Sequence, residues 1–137
     1  MSEFLDVYAR HLGEWMPELL LAALGTLKMT ALAFVLANVV GLLLALAKLS
    51  TSRPLRAFAT GYIELVRGIP ALTLLFVIYF GLPGIGILFD SFTAAVIGLG
   101  LNGAAYLAEV FRAGIQAIHR GQMEAALSIG LTPLGAM

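Results

Sequence analysis

Cysteine is absent from this chain of 137 residues, which removes disulfides, thiolate metal sites and cysteine nucleophiles together. Charge is nearly as scarce. Only 12% of the residues are Asp, Glu, Lys or Arg, and the net charge is zero. No basic run occurs, so nothing in the charge balance points to nucleic acid. No signal peptide is recognisable, because Glu3 and Asp6 stand where a basic region belongs and the apolar run starts late. The first apolar segment is therefore expected to stay in the mature protein. The patterns G-x-x-x-x-G-K-[ST], H-E-x-x-H and G-x-S-x-G are also missing, which leaves no P-loop and no hydrolase or intramembrane protease machinery. No catalytic residue, metal ligand or cofactor is expected.

What fills the chain is apolar. Residues of the AVILMFWYC class make up 61% of it, and its mean hydropathy is +0.98. Soluble domains average about 45–50% apolar and about 25% charged residues. A chain this short cannot hide so much apolar surface in one water-soluble core. It belongs in a bilayer, as an all-α, polytopic helical bundle.

Three segments approach the roughly 20 apolar residues that a spanning helix needs. Spans are expected at about 19–47, 68–89 and 91–116. Lys28 interrupts the first, whereas Met29 to Ala47 is uncharged. Ser50-Thr-Ser with Pro54 reads as a turn. Pro70 stands just inside the start of the second segment, where a missing N–H costs little. Gly81-Leu-Pro83-Gly84-Ile-Gly86 punctuates the far end of that segment, which therefore reads as re-entrant or irregular. Basic residues are Arg10 before the first segment, Lys48, Arg53, Arg56 and Arg67 between the first two, none from Gly81 to Ser91, and Arg112 and Arg120 at the end. By the positive-inside rule the N-terminus is expected outside and the C-terminus in the cytoplasm. His11 and His119 then fall on opposite sides.

Two faces stand out. Ala22, Thr26, Thr30, Ala33, Ala37 and Gly41 recur at steps of three and four. Such a face serves close helix packing or lines a path, with Lys28 pointing elsewhere and reaching for the interface. In the third segment Asn102, Ala105, Tyr106, Glu109, Arg112 and Gln116 share a sector of roughly 120° at about 100° per residue. Glu109 and Arg112 are spaced to pair. Intramembrane ionisable groups face protein or water, so this pair is a structural ion pair near the cytoplasmic end, while Asn102 and Tyr106 are candidates for a substrate path with Thr26 and Thr30. Gly98-Leu-Gly100-Leu-Asn-Gly103 fits G-x-G-x-x-G, but it lies inside a membrane-length apolar run without the strand and turn a dinucleotide site requires. Close helix contact explains it better.

After the third segment comes Gly121-Gln122-Met-Glu124-Ala125-Ala126-Leu-Ser-Ile-Gly130. Together with Gly25-Thr26-Leu27 and Thr30, Tyr62-Ile-Glu64-Leu-Val-Arg67-Gly68-Ile-Pro70, and Ala105-Tyr106-Leu-Ala-Glu109-Val-Phe-Arg112-Ala-Gly114, it resembles the permease subunits of polar-amino-acid ABC importers. The resemblance implies a bacterial cytoplasmic-membrane subunit with a family pattern of five spans, three of them in this chain. It also implies a coupling region at 117–137, with Gly121, Gln122, Glu124, Ala125, Ala126 and Gly130 facing a separate ATPase subunit. The further partners implied are a second permease subunit in a homo- or heterodimer, an extracytoplasmic solute-binding protein, an amino-acid substrate and membrane lipid. The chain itself would be a transport subunit and not an enzyme. Residues 1–137 read as one incomplete permease domain, because Met137 falls inside the coupling region. The expectation is a truncated copy or part of a longer subunit. Two other readings stand beside this one: a small non-ABC channel or carrier, and an inactive fragment that only pairs with a full permease.

Overall fold

The computed structural model describes residues 2–132 and 135, with the side chains of 2–10, 12, 14 and 120 left out. The end of the expected coupling region (133, 134, 136 and 137) lies outside the described residues, as do the side chains of Arg10 and Arg120 that enter the charge pattern. The elements are α1 (Ser2–Leu49), α2 (Arg53–Gly68), α3 (Ala71–Phe76), a π turn (Val77–Gly81), a 3-10 turn (Leu82–Ile85), α4 (Ser91–Gln116) and α5 (Arg120–Ser128). Among the described residues there is no strand. The bundle is all-α, as the composition requires.

Helix α1 is 48 residues long, or about 72 Å at 1.5 Å per residue, more than twice the ~30 Å hydrocarbon core of a bilayer. It continues through Pro17, and its apolar stretch runs from Trp15 to Leu49. Helix α4, from Ser91 to Gln116, is the second helix long and apolar enough to cross. Its start is set by Asp90, whose carboxylate accepts hydrogen bonds from the backbone N–H groups of Phe92 and Thr93. An acid before an apolar run is a recognisable N-cap signal.

In the segment expected to span at 68–89 the helix starts at Ala71, after Pro70, and gives way to π and 3-10 turns that end at Ile85, the irregular far end that Gly81 to Gly86 led one to expect. Ile69 is extended (φ −112°, ψ 144°) because the ring of Pro70 disfavours the helical region for the residue before it. The axis consequently turns by 105° between α2 and the segment Ala71–Ile85. Beyond Ile85 the chain leaves helical geometry through Gly86 at φ +85°, so 86–89 are not helical. A third crossing exists only if the bent pair counts as one span.

The basic connection between the first two spans is itself a helix. In α2 the residues Ala59, Ile63 and Val66 are buried, while Arg53, Arg56, Glu64 and Arg67 are exposed. This is amphipathic spacing. Counting the arginines as loop charges hid that period.

Helices α1 and α4 run in the same direction. Leu36 meets Gly100, Ala37 meets Gly103, and Gly41 meets Ala104 to Ala108. The segment after α2 returns antiparallel to α4, with Leu75 and Ile78 beside Gly98 and the Tyr79 and Ser91 hydroxyls 3.2 Å apart. The core is small-residue packing around Leu44, Ala59, Ile63, Ala104 and Ala108. Large side chains such as Leu21, Phe34, Leu43 and Leu72 point outward, where a bilayer solvates them.

Candidate translocation and coupling sites

The predicted small face of α1 divides in two. Ala33, Ala37 and Gly41 are buried against α4, whereas Ala22, Thr26 and Thr30 are exposed. The Thr26 hydroxyl donates to the Ala22 carbonyl at 3.0 Å, a bond within its own helix. Lys28 lies near the start of α4, its ammonium 5.6 Å from the centroid of the Phe92 ring.

On α4 the polar stripe is held by a three-residue charge network. Glu109 Oε2 accepts from Arg112 Nε at 2.9 Å and Nη2 at 2.7 Å. Its other oxygen accepts from Lys48 Nζ at 2.6 Å. The Nη1 of Arg112 donates to Gln116 Oε1. The i,i+3 pair was legible in the sequence. Lys48 was not, because 61 positions separate it from Glu109 and only the parallel packing of α1 on α4 brings them together.

Tyr106 and Thr30 share a groove between α1 and α4, with Ala33, Ala37 and Gly103 also lining it. Thr26 and Asn102 are not part of that lining. Asn102 is half-buried, and its side chain has no hydrogen-bond partner among the described residues. The Tyr62 hydroxyl donates to the Leu101 carbonyl at 2.9 Å, pinning α2 across α4. The guanidinium of Arg67 lies 5.3 Å from the Tyr106 ring centroid. Tyr62 and Arg67 stood in the quoted sequence blocks but were not singled out as site residues. Their contacts arise from the placement of α2.

Helix α5 follows α4 after a short break and packs on no other helix to any extent among the described residues. At its start the His119 N–H is donated to Gln122 Oε1 at 3.3 Å, a reach-back bond typical of N-terminal caps. At its end Gly130 has φ +87°, the Leu131 N–H donates to the Ala126 carbonyl at 3.2 Å and the Gly130 N–H to that of Leu127 at 3.0 Å. These two bonds form a Schellman motif, which wants glycine at the left-handed position. Ser128 Oγ donates to the Glu124 carbonyl at 2.8 Å. Gly121, Glu124 and Ala125 are exposed and Ala126 is half-buried. The Glu124 carboxylate has no partner among the described residues.

Two long apolar helices packed in parallel, a bent pair between them and a short detached helix beyond define a helical membrane permease fold. The model of the binding-protein-dependent transport system inner membrane component matches residues 37–137, and the chain belongs to that family. It is 46% identical to the probable amino-acid ABC transporter permease protein YckA of Bacillus subtilis (strain 168), over 78% of this chain and 47% of that protein. It is 44% identical to the arginine transport system permease protein ArtQ of the same organism, over 82% of this chain and 51% of that one. A solved structure described as a crystal structure of an amino acid ABC transporter with histidines superposes with a TM-score of 0.82 at 43% identity, covering 92% of this chain and 59% of that chain. The chain thus spans about half the length of the curated relatives it matches.

Proposed function

We propose that this chain serves as membrane-spanning permease sequence of an ABC importer for amino acids in a bacterial cytoplasmic membrane. Hydrolysis of ATP occurs on a separate ATPase subunit. The observation that carries this reading is α5, a capped helix whose Glu124 carboxylate is unpaired among the described residues and which has small side chains on exposed positions, directly after a membrane-length helix. Relatives named for amino-acid and arginine transport support the substrate class. On this reading residues 117–137 are the coupling region. Glu124 is its polar anchor, Ala125 and Ala126 permit close approach of the ATPase, and Gly130 sets the turn. Gly121 and Gln122 shape its start. A second permease subunit and an extracytoplasmic solute-binding protein complete the assembly. Tyr106 and Thr30 line the translocation path, with Asn102 and Thr26 as further candidates, while the Glu109–Arg112 pair is structural.

The test uses the assembled transporter in proteoliposomes. Ala126→Glu places a charged side chain at the contact, where overpacking costs about 1–3 kcal/mol. Gly130→Pro cannot adopt the positive φ of this position. Both should insert normally and lose substrate-stimulated ATP hydrolysis. Normal stimulation in both variants would leave α5 without a coupling role and remove the main support for the reading.

A further inference from the structure

Helix α2 has three faces. At about 100° per residue, the buried Ala59, Ile63 and Val66 share a sector of roughly 60° against the bundle. On one side of that contact Leu55 is 46% exposed and Phe58 and Leu65 are each 68% exposed. On the other side stand Arg53, Arg56, Thr60, Glu64 and Arg67, with all four charged residues exposed. The two flanks point in opposite directions, each about a quarter turn from the buried face. The ion pairs among the described residues all belong to Glu109, so no bonded carboxylate compensates Arg53, Arg56 or Arg67 there.

What the flanks touch gives their direction. Helix α2 lies across α4, because the axis turns by 105° into a segment that runs antiparallel along α4. From the apolar flank Tyr62 reaches the Leu101 carbonyl, and from the basic flank Arg67 reaches the Tyr106 ring. Tyr106 lies about 7.5 Å farther along α4 than Leu101 at 1.5 Å per residue, towards the end where Glu109 meets Lys48. The basic flank is thus turned to the charged end of the bundle and the apolar flank to its middle. Water would leave Leu55, Phe58 and Leu65 exposed, and hydrocarbon would strand the arginines. A boundary between lipid and water satisfies both flanks at once. We propose that α2 lies in the plane of that boundary, with Arg53, Arg56 and Arg67 on the headgroup phosphates of anionic phospholipids. Guanidinium forks match phosphate oxygens, and long basic side chains reach past apolar surface to the headgroups. This placement needs only a chain in a bilayer and does not depend on α5 coupling to an ATPase.

Because the chain lacks cysteine, single spin labels at Glu64→Cys and Leu65→Cys compare the two flanks at adjacent positions, on the full chain in nanodiscs. The Leu65 label should relax with oxygen, which enters lipid, and the Glu64 label with a water-soluble nickel chelate. Binding of phosphatidylglycerol is read separately, by native mass spectrometry of the full chain in detergent. It should be tighter than binding of phosphatidylcholine. The double variant Arg53→Gln and Arg56→Gln should weaken it about 25-fold, from about fivefold for each basic residue at an anionic surface. Lysine at both positions should keep most of the affinity, and inorganic phosphate should not compete. Equal responses of the two labels would put α2 wholly in water or wholly in lipid and overturn the proposal. Shielding of the Glu64 label from both reagents would mean that a second copy of the chain covers the basic flank, and would overturn it likewise. So would equal affinity for the two lipids, unchanged affinity in the glutamine variant, or displacement of the lipid by inorganic phosphate.

Discussion

At the scale of single residues, the glycines of the α1–α4 contact differ in what surrounds them. A Cβ on Gly41 would lie 3.1 Å from the Ala104 carbonyl oxygen and 3.3 Å from the Ala108 nitrogen, and backbone atoms cannot rotate away. A Cβ on Gly98 would lie 2.5 Å from Leu75 Cδ2, the tip of a flexible side chain. Alanine gains up to about 1 kcal/mol over glycine in a helix, and overpacking costs about 1–3 kcal/mol. Gly98→Ala should therefore be close to neutral and Gly41→Ala clearly destabilising in thermal unfolding of the purified chain. The reverse order would mean that α1 and α4 are not in backbone contact. Gly100→Leu meets Leu36 along its whole side chain and should lower assembly. Asp90 is a second case. The Thr93 hydroxyl, then the Thr93 and Phe92 N–H groups, hold its carboxyl below the ordinary aspartate range. A lowered folded pKa contributes stability that is present above the unfolded value of about 3.9 and is lost as pH falls through the lower folded value. Amide exchange at 92–95 should thus quicken only below that range. Thr93→Val removes the largest cause, so the onset should move to higher pH.

Among the elements, the join of α1 to α4 is the one that charge strengthens. Lys48 and Arg112 each take one oxygen of Glu109, with side chains 20–30% exposed. Glu109→Gln leaves two cations facing each other, whereas Lys48→Met leaves Glu109 paired with Arg112. The first should destabilise more. A double-mutant cycle across Lys48 and Glu109, read by SDS-induced unfolding, should give a coupling of about 0.5–3 kcal/mol, the usual range for contacting residues. A coupling of zero would reduce the bridge to a contact that solvent screens away. The bend after α2 is set differently. Pro70 acts on Ile69 through local sterics, and Tyr62 and Arg67 then anchor the bent helix to α4.

For the whole molecule, the distribution of charge bears on its orientation. Basic residues gather after the first long helix and from the last turns of α4 onward, and by the positive-inside rule we propose that the N-terminus lies outside and α5 in the cytoplasm. Single cysteines at Ser2 and Ser128 should respond oppositely to a membrane-impermeant thiol reagent in intact cells. The native chain has no thiol to confuse the result. Equal labelling at both positions would refute the orientation. Parallel α1 and α4 fit two crossings in the same direction, with the bent pair returning between them.

The sequence by itself determined the class of this molecule. Hydropathy and segment length dictate helices in a bilayer, since every backbone group must be bonded within its own segment there. Local signals carried nearly as far. Gly130 ends α5 at positive φ, and Glu109 and Arg112 pair at i,i+3, because both depend only on neighbours in the chain. What lay beyond reach was set by packing. Pro70 and the glycines at 81–86 mark the start and the irregular end of the uncharged run over 68–89, but only the fold decided where α2 lies and how far the axis turns at Ile69. The partnership of Lys48 with Glu109, the stacking of Arg67 on Tyr106, and the separation of Thr30 and Tyr106 from Thr26 and Asn102 required knowing that α1 and α4 run side by side in one direction. Sequence periodicity assigns a residue to a face of its own helix. It carries no information about which other helix that face meets.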